Sequence, residues 1–162
     1  MQLLTAVIIA STVSSALVGG VFFAFSVFVM RALADLPPAQ GILAMQRVNI
    51  TVINPLFLGV FLGAVPLLGF AAYLGRHVVP SLSWLLGAFL IYLVGSVGVT
   101  MALNVPRNNR LAALPAGSAE AAAYWPVYVR EWLFWNHLRC MASLAAAVVA
   151  MLAIPGVVQS PA

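Results

Sequence analysis

Residues 3–30 read LLTAVIIASTVSSALVGGVFFAFSVFVM, without one charged side chain. A helix crosses the hydrocarbon core of a bilayer in ~20 mostly apolar residues, so this stretch is long enough to span on its own. Three more charge-free gaps follow: between Arg47 and Arg76, between Arg76 and Arg107, and after Arg139. Together with their flanks they predict spans over residues 48–74, 81–103 and 131–154. Only 6% of the 162 residues are charged and 64% are hydrophobic, and mean hydropathy is +1.10. Little chain is left over for a soluble domain. The reading is therefore all-α: a bundle of four transmembrane helices forming one integral membrane domain over residues 1–162. The first span has no basic n-region and exceeds the ~7–15 apolar residues of a signal-peptide h-region, so it is expected to be a true helix.

The net charge of +4 is carried by arginine alone on the positive side. In a soluble chain that balance would suggest nucleic acid; here it belongs to loops and reports orientation. Arg31, Arg47, Arg107, Arg110 and Arg130 fall in the loops after the first and third spans, with Arg139 just inside the fourth, whereas the opposite side holds Arg76. The positive-inside rule then puts both termini on the extracytoplasmic side, as expected for a bacterial inner-membrane protein. Cys140 is the single cysteine and lies within a span, where a small apolar packing role accounts for it.

Short interfacial helices are expected in the first and third loops. Pro37 and Pro38 suit a helix start, and Ile42, Leu43, Met45 and Val48 form a weakly amphipathic pattern leading into the second span. In the third loop, Pro106 is expected to end the preceding helix, and Ser118-Ala119-Glu120 to cap a short helix through Tyr124, Trp125 and Tyr128. Gly95 and Gly98 read as sites where helices approach closely; Ser11, Ser14, Ser15, Gly19 and Gly20 read the same way or, alternatively, as room for a flat ligand.

Alternating helix direction brings three polar stretches to one membrane face. They are Asn49 and Asn54 entering the second span, Asn104, Arg107 and Asn108 leaving the third, and Trp132, Asn136, His137 and Arg139 entering the fourth. Trp132, Asn136 and Arg139 are spaced i, i+4 and i+7 and share a helix face; His137 lies about 100° around from Asn136. Ionisable groups within spans are expensive and usually face the bundle interior. Each residue also has a plainer reading: Arg139 as a snorkelling or carbonyl-bound structural arginine, Glu131 as an arginine partner, His137 as a neutral interhelical histidine, and the asparagines as helix-to-helix glue. No HxxxH or ExxH pair exists, and His77 is at the opposite face from His137, so no metal site is predicted, with haem or another metal left open. Nucleotide loops, a Ser-His-Asp arrangement and a charged ion-channel ladder are all missing. Amides, an indole, an imidazole and arginines suit an uncharged or anionic aromatic ligand.

Three blocks, FFAFSVFVMRALADLPPAQGILAMQRVNITVINPLFL, VTMALNVPRNNRLAAL and WPVYVREWLFWNHLRCMASLAAA, together resemble the anthrone-oxygenase-like family of small membrane proteins. Met45, Gln46, Asn49, Asn54, Pro55, Asn104, Val105, Pro106, Asn108, Trp132, Asn136, His137 and Arg139 carry the resemblance. It implies oxidation of a lipophilic, anthrone-like aromatic by O₂ without a cofactor, because a deprotonated anthrone can reduce O₂ itself. On that reading His137 is the general base, imidazole being a common proton carrier in catalysis. Asn49, Asn104 and Asn136 would donate to the enolate or peroxide, Trp132 would stack on the rings or donate its N–H, and Arg139 or Arg107 would stabilise negative charge. Asn54 and Asn108 complete the expected binding set. The expected partners are the bilayer, the aromatic ligand and O₂, with no nucleic acid and with homo-oligomerisation open. Two other classes stay open beside it: a non-catalytic binder of lipophilic aromatics, and an accessory or structural membrane subunit.

Overall fold

The structure, a computed structural model, describes residues 1–159. It is 88% helical and, among the described residues, contains no strand. Four helical stretches are long and apolar enough to cross a membrane: α1 (Gln2–Ala34), α3 (Pro55–Leu74), α4 (Pro80–Ala112) and the stretch Ala119–Val158. The last consists of α5 (Ala119–Met151) and, past a turn, α6 (Ile154–Gln159). The short helix α2 (Pro38–Thr51) connects α1 to α3.

The boundaries differ from the sequence expectation in three places, each with a local cause. The second span does not begin at Val48, because α2 stops at Thr51 and α3 starts afresh at Pro55. Asn54 is extended (φ −128°, ψ 156°) and its Oδ1 accepts the Phe57 N–H at 3.0 Å. An asparagine cap followed by a proline, which has no N–H to leave unpaired, is a strong helix start. The residue before a proline is also pushed away from helical geometry.

Pro106, expected to end the third span, lies inside α4, which runs on to Ala112. A helix-interior proline normally clashes with the carbonyl four residues back, here that of Ala102. That carbonyl belongs to a π-helical segment, Thr100–Asn104, preceded by another at Leu93–Gly98. The wider turns give the ring room. In the third loop the expected short helix and the fourth span are one uninterrupted helix, α5, capped by the Ser118 hydroxyl, which accepts the Ala121 N–H at 3.1 Å.

The core divides into three stacked clusters along the bundle. One end is packed by Leu4, Ile8, Leu85 and Val157, the middle by Phe61, Leu68 and Tyr92, and the other end by Met30, Ile42, Met45 and Tyr128. Gly19 and Gly95 let α1 and α4 close on α5. A Cβ would lie 2.7 Å from Leu144 Cδ2 at Gly19, and 2.5 Å from Ala142 Cβ at Gly95. Beside Gly95, Ser143 Oγ donates to Ser96 Oγ at 2.9 Å.

At the α2 end, Gln46 Nε2 donates to the carbonyls of Leu111 (2.8 Å) and Leu114 (2.9 Å), fastening α2 across the end of α4. Helix α3 packs on the first part of α4, up to Tyr92, whose hydroxyl donates to the Phe61 carbonyl at 3.0 Å, but beyond Gly98 the two helices scarcely touch. A gap opens there, at the end where the polar stretches gather.

Candidate functional site

Into that gap opens a cavity of about 330 Å³, at the lower end of the ~300–1,000 Å³ typical of small-molecule sites. Phe22, Phe25, Phe57 and Phe61 give it aromatic walls, and Asn49, Thr100, Asn108, Trp132 and Arg139 are its polar members. Leu62 on α3 and Met101 on α4 both line it and are both exposed, 48% and 60%. It therefore opens sideways, between α3 and α4, on the flank a bilayer would cover.

Arg139 is the charged side chain on the cavity wall. Its residue is 5% exposed, and its guanidinium sits 4.2 Å from the ring centre of Phe22 and 5.1 Å from that of Trp132. Nη2 donates to Asn136 Oδ1 at 2.7 Å and Nη1 to Thr100 Oγ1 at 3.2 Å, while the buried Nε has no partner. No carboxylate among the described residues pairs with it. Among the described residues the ion pair is Arg107 with Glu131, at 2.9 Å. Ring faces attract a cation, by ~2 kcal/mol or more when desolvated, but a buried charge still loses several kcal/mol of hydration. The arginine is held, yet no carboxylate among the described residues answers its charge.

Asn136 fixes where that charge lies. It is fully buried, and its Nδ2 donates to the Phe22 carbonyl and to Ser26 Oγ, both at 2.8 Å. With the amide nitrogen spent on α1, the oxygen has to face Arg139. The α1 turn it grips adjoins the π-helical segment Phe25–Val29, and Thr100 lies in the one at Thr100–Asn104. Single wide turns of this kind occur frequently at functional sites. Here they set the cavity walls contributed by Phe25, Thr100 and Met101.

A second network lies beside the cavity. Asn108 Oδ1 accepts both the Tyr128 hydroxyl and Trp132 Nε1, each at 2.9 Å. Its oxygen is thereby occupied, and its amide hydrogens are what it can offer a ligand. Asn49 Nδ2 reaches the Tyr128 hydroxyl at 3.5 Å, a bond at the limit of length that leaves Asn49 free to turn.

The expected site residues thus separate. Asn49, Asn108, Trp132 and Arg139 meet on the cavity, and Asn136 stands directly behind it. Asn104 is buried outside the lining, its Nδ2 donating to the Trp132 carbonyl at 3.2 Å. Arg107 is engaged by Glu131 and by the Leu103 carbonyl, and is also off the cavity. Asn54 caps α3 and lines a separate shallow groove. His137 is exposed and not part of the lining, because one helical step from buried Asn136 carries it to the outer face of α5. The base role expected for it finds no support in this geometry.

Thr100, Tyr128 and Ser26 were not expected at the site. Tyr128 had a readable signal, since Tyr128, Trp132 and Asn136 form an unbroken i, i+4 series. Thr100 and Ser26 had none, because both sit where a wide turn alters the helical phase. Among the described residues no group of three His, Cys, Asp or Glu gathers as a metal site would require.

Fold and site together define an integral membrane protein of four apolar spans, with an arginine set into the wall of an aromatic cavity. The family model for anthrone oxygenase matches residues 56–149, and the chain belongs to that family. The matched stretch includes Thr100, Asn108, Trp132, Asn136 and Arg139, and stops short of Asn49 and Asn54. No curated protein and no solved structure matches the chain.

Proposed function

We propose that this protein is a membrane oxygenase that holds a lipophilic, ring-fused aromatic in the cavity while O₂ oxidises it. The observation that carries the reading is the buried guanidinium of Arg139, unanswered by any carboxylate among the described residues, at the wall of an apolar, aromatic-lined space. Family membership supports the reaction class. The bilayer would supply both the substrate and O₂, which dissolves well in hydrocarbon. By the positive-inside rule, the end holding the cavity faces the cytoplasm of a bacterial inner membrane.

For an anthrone-like substrate the chemistry runs as follows. A doubly benzylic C–H beside a conjugated carbonyl loses its proton to water, and the charge moves to the carbonyl oxygen as an enolate. Arg139 faces that oxygen, with the amide of Asn108 or Asn49 as a second donor. The enolate passes one electron to O₂, and the resulting radical and superoxide join at the benzylic carbon as a peroxide, which takes up a proton. The O–O bond then breaks as the second benzylic hydrogen leaves, giving a carbonyl and water. One O₂ is consumed for each CH₂ turned into C=O. The side chains act by electrostatic stabilisation, where one oxyanion-hole donor is worth roughly 10²–10³ in rate, and His137 is not assigned a step.

The test is O₂ uptake by purified protein in nanodiscs with a simple anthrone, corrected for autoxidation with heat-inactivated protein. Uptake above background that collapses in Arg139→Gln is the expected result. Saturable anthrone binding without uptake would overturn the oxygenase reading in favour of a binder.

A further inference from the structure

We infer that the cavity is an anion site: it holds an acidic ring-fused phenol or enol as its anion, in preference to the neutral acid. The inference rests on the cavity being the ligand site, but not on any reaction with O₂. It begins from charge balance. The titratable side chain on the cavity wall is Arg139, and its other polar members (Asn49, Thr100, Asn108 and Trp132) are neutral. The guanidinium has neutral oxygens and ring faces around it, and its Nε–H is buried without a partner.

Two alternatives for that charge fail on the geometry. Snorkelling to the membrane surface would require an exposed head, and Arg139 is almost wholly buried. Pairing within the bundle would require a carboxylate, yet Glu131 is taken by Arg107, and Asp35 and Glu120 are exposed in or beside loops. A buried charge of this kind is stabilised best by an opposite charge with hydrogen-bonding oxygens. An aromatic oxyanion supplies both, and its rings match the Phe22, Phe25, Phe57 and Phe61 walls. The wall also offers no side chain able to take the ligand's proton, so ionisation passes the proton to water and the anion is what enters or remains.

The experiment uses a hydroxyanthraquinone dye, whose acid and anion differ in colour and whose rings are already at the quinone level, so that no O₂ is consumed. The dye is titrated with pH in phosphatidylcholine nanodiscs, either empty or carrying the protein. An opposite charge within ~4–6 Å lowers an acid's pKa by about 1–3, so the wild type should lower the bound dye's apparent pKa by that amount. This corresponds to about 10- to 1,000-fold tighter binding of the anion.

Arg139→Gln should return the dye to its empty-nanodisc value. So should Asn136→Asp, which keeps Arg139 and puts a carboxylate in reach of its Nη2, deciding the matter if the glutamine variant does not fold. A dye bound in its neutral form by the wild type overturns the inference, as does a lowered pKa that survives in both variants, or the absence of saturable binding. If the dye binds as the acid while anthrone still drives O₂ uptake, this inference alone falls. If the dye binds as the anion without any uptake of O₂ with anthrone, it stands and the oxygenase reading falls.

Discussion

Arg139→Gln should abolish most turnover while leaving the fold close to wild-type stability. An oxyanion ~4 Å from the guanidinium gains about 4 kcal/mol at an effective dielectric of ~20. Mutagenesis of oxyanion-hole donors gives about 2.7–4 kcal/mol, or 10²–10³ in rate. The two agree, so a 10²–10³-fold fall in kcat is expected. Stability follows different arithmetic. Removing one member of a buried ion pair costs about 3–5 kcal/mol, because the partner charge is stranded. Here no partner charge among the described residues is left to strand. The variant gives up the charged bonds to Thr100 and Asn136, about 1.5–3 kcal/mol each, one of which the glutamine amide can replace, and the contacts with Phe22 and Trp132, ~2 kcal/mol or more when desolvated. Against this it recovers the several kcal/mol of hydration that the buried cation gave up. The balance should lie within about 2 kcal/mol of zero. O₂ uptake with anthrone reads the first quantity, and equilibrium unfolding in mixed detergent micelles reads the second. A folded variant with normal uptake would refute the electrostatic role. A loss of more than about 3 kcal/mol, the figure for a broken buried pair, would show a structural arginine instead.

His137→Ala should retain near wild-type O₂ uptake, since the side chain is exposed and off the cavity; a fall of about 10²–10⁴-fold would restore the general-base assignment. Asn54→Ala should lower stability by about 0.5–2 kcal/mol through loss of the α3 cap, with the pH dependence of dye binding unmoved, because Asn54 does not line the main cavity. Gly95→Val should cost about 1–3 kcal/mol in the same unfolding assay, because even a Cβ there would lie 2.5 Å from Ala142 Cβ; a neutral result would mean that α4 can back away from α5.

Hydropathy and charge spacing place the four spans because the bilayer imposes one requirement on every residue within it. Where each helix stops is decided by local hydrogen bonding that hydropathy does not record. The break at Asn54 was written in an Asn-Pro pair that apolar neighbours on both sides disguised. The continuation past Pro106 was not readable, since it depends on wide turns whose register is set by packing against α5. At the site, the i, i+4, i+7 spacing of Trp132, Asn136 and Arg139 did place them on one buried face. His137 drew attention through its chemistry, yet the 100° step from Asn136 already implied a different direction. Arg107 and Arg139 looked alike in the sequence. A nearby glutamate makes one a paired structural arginine, and the lack of one leaves the other available.

The sideways opening between Leu62 and Met101 changes what concentration means for this protein. On the proposed function a ligand entering there would come from the membrane phase, so occupancy would follow its mole fraction among the lipids and not its molarity in the buffer. At a fixed total amount of substrate, added lipid dilutes it in two dimensions and slows turnover, although the aqueous volume is unchanged. Competing compounds would then rank by the product of partitioning and fit, and a tight-fitting molecule that stays in water would hardly register.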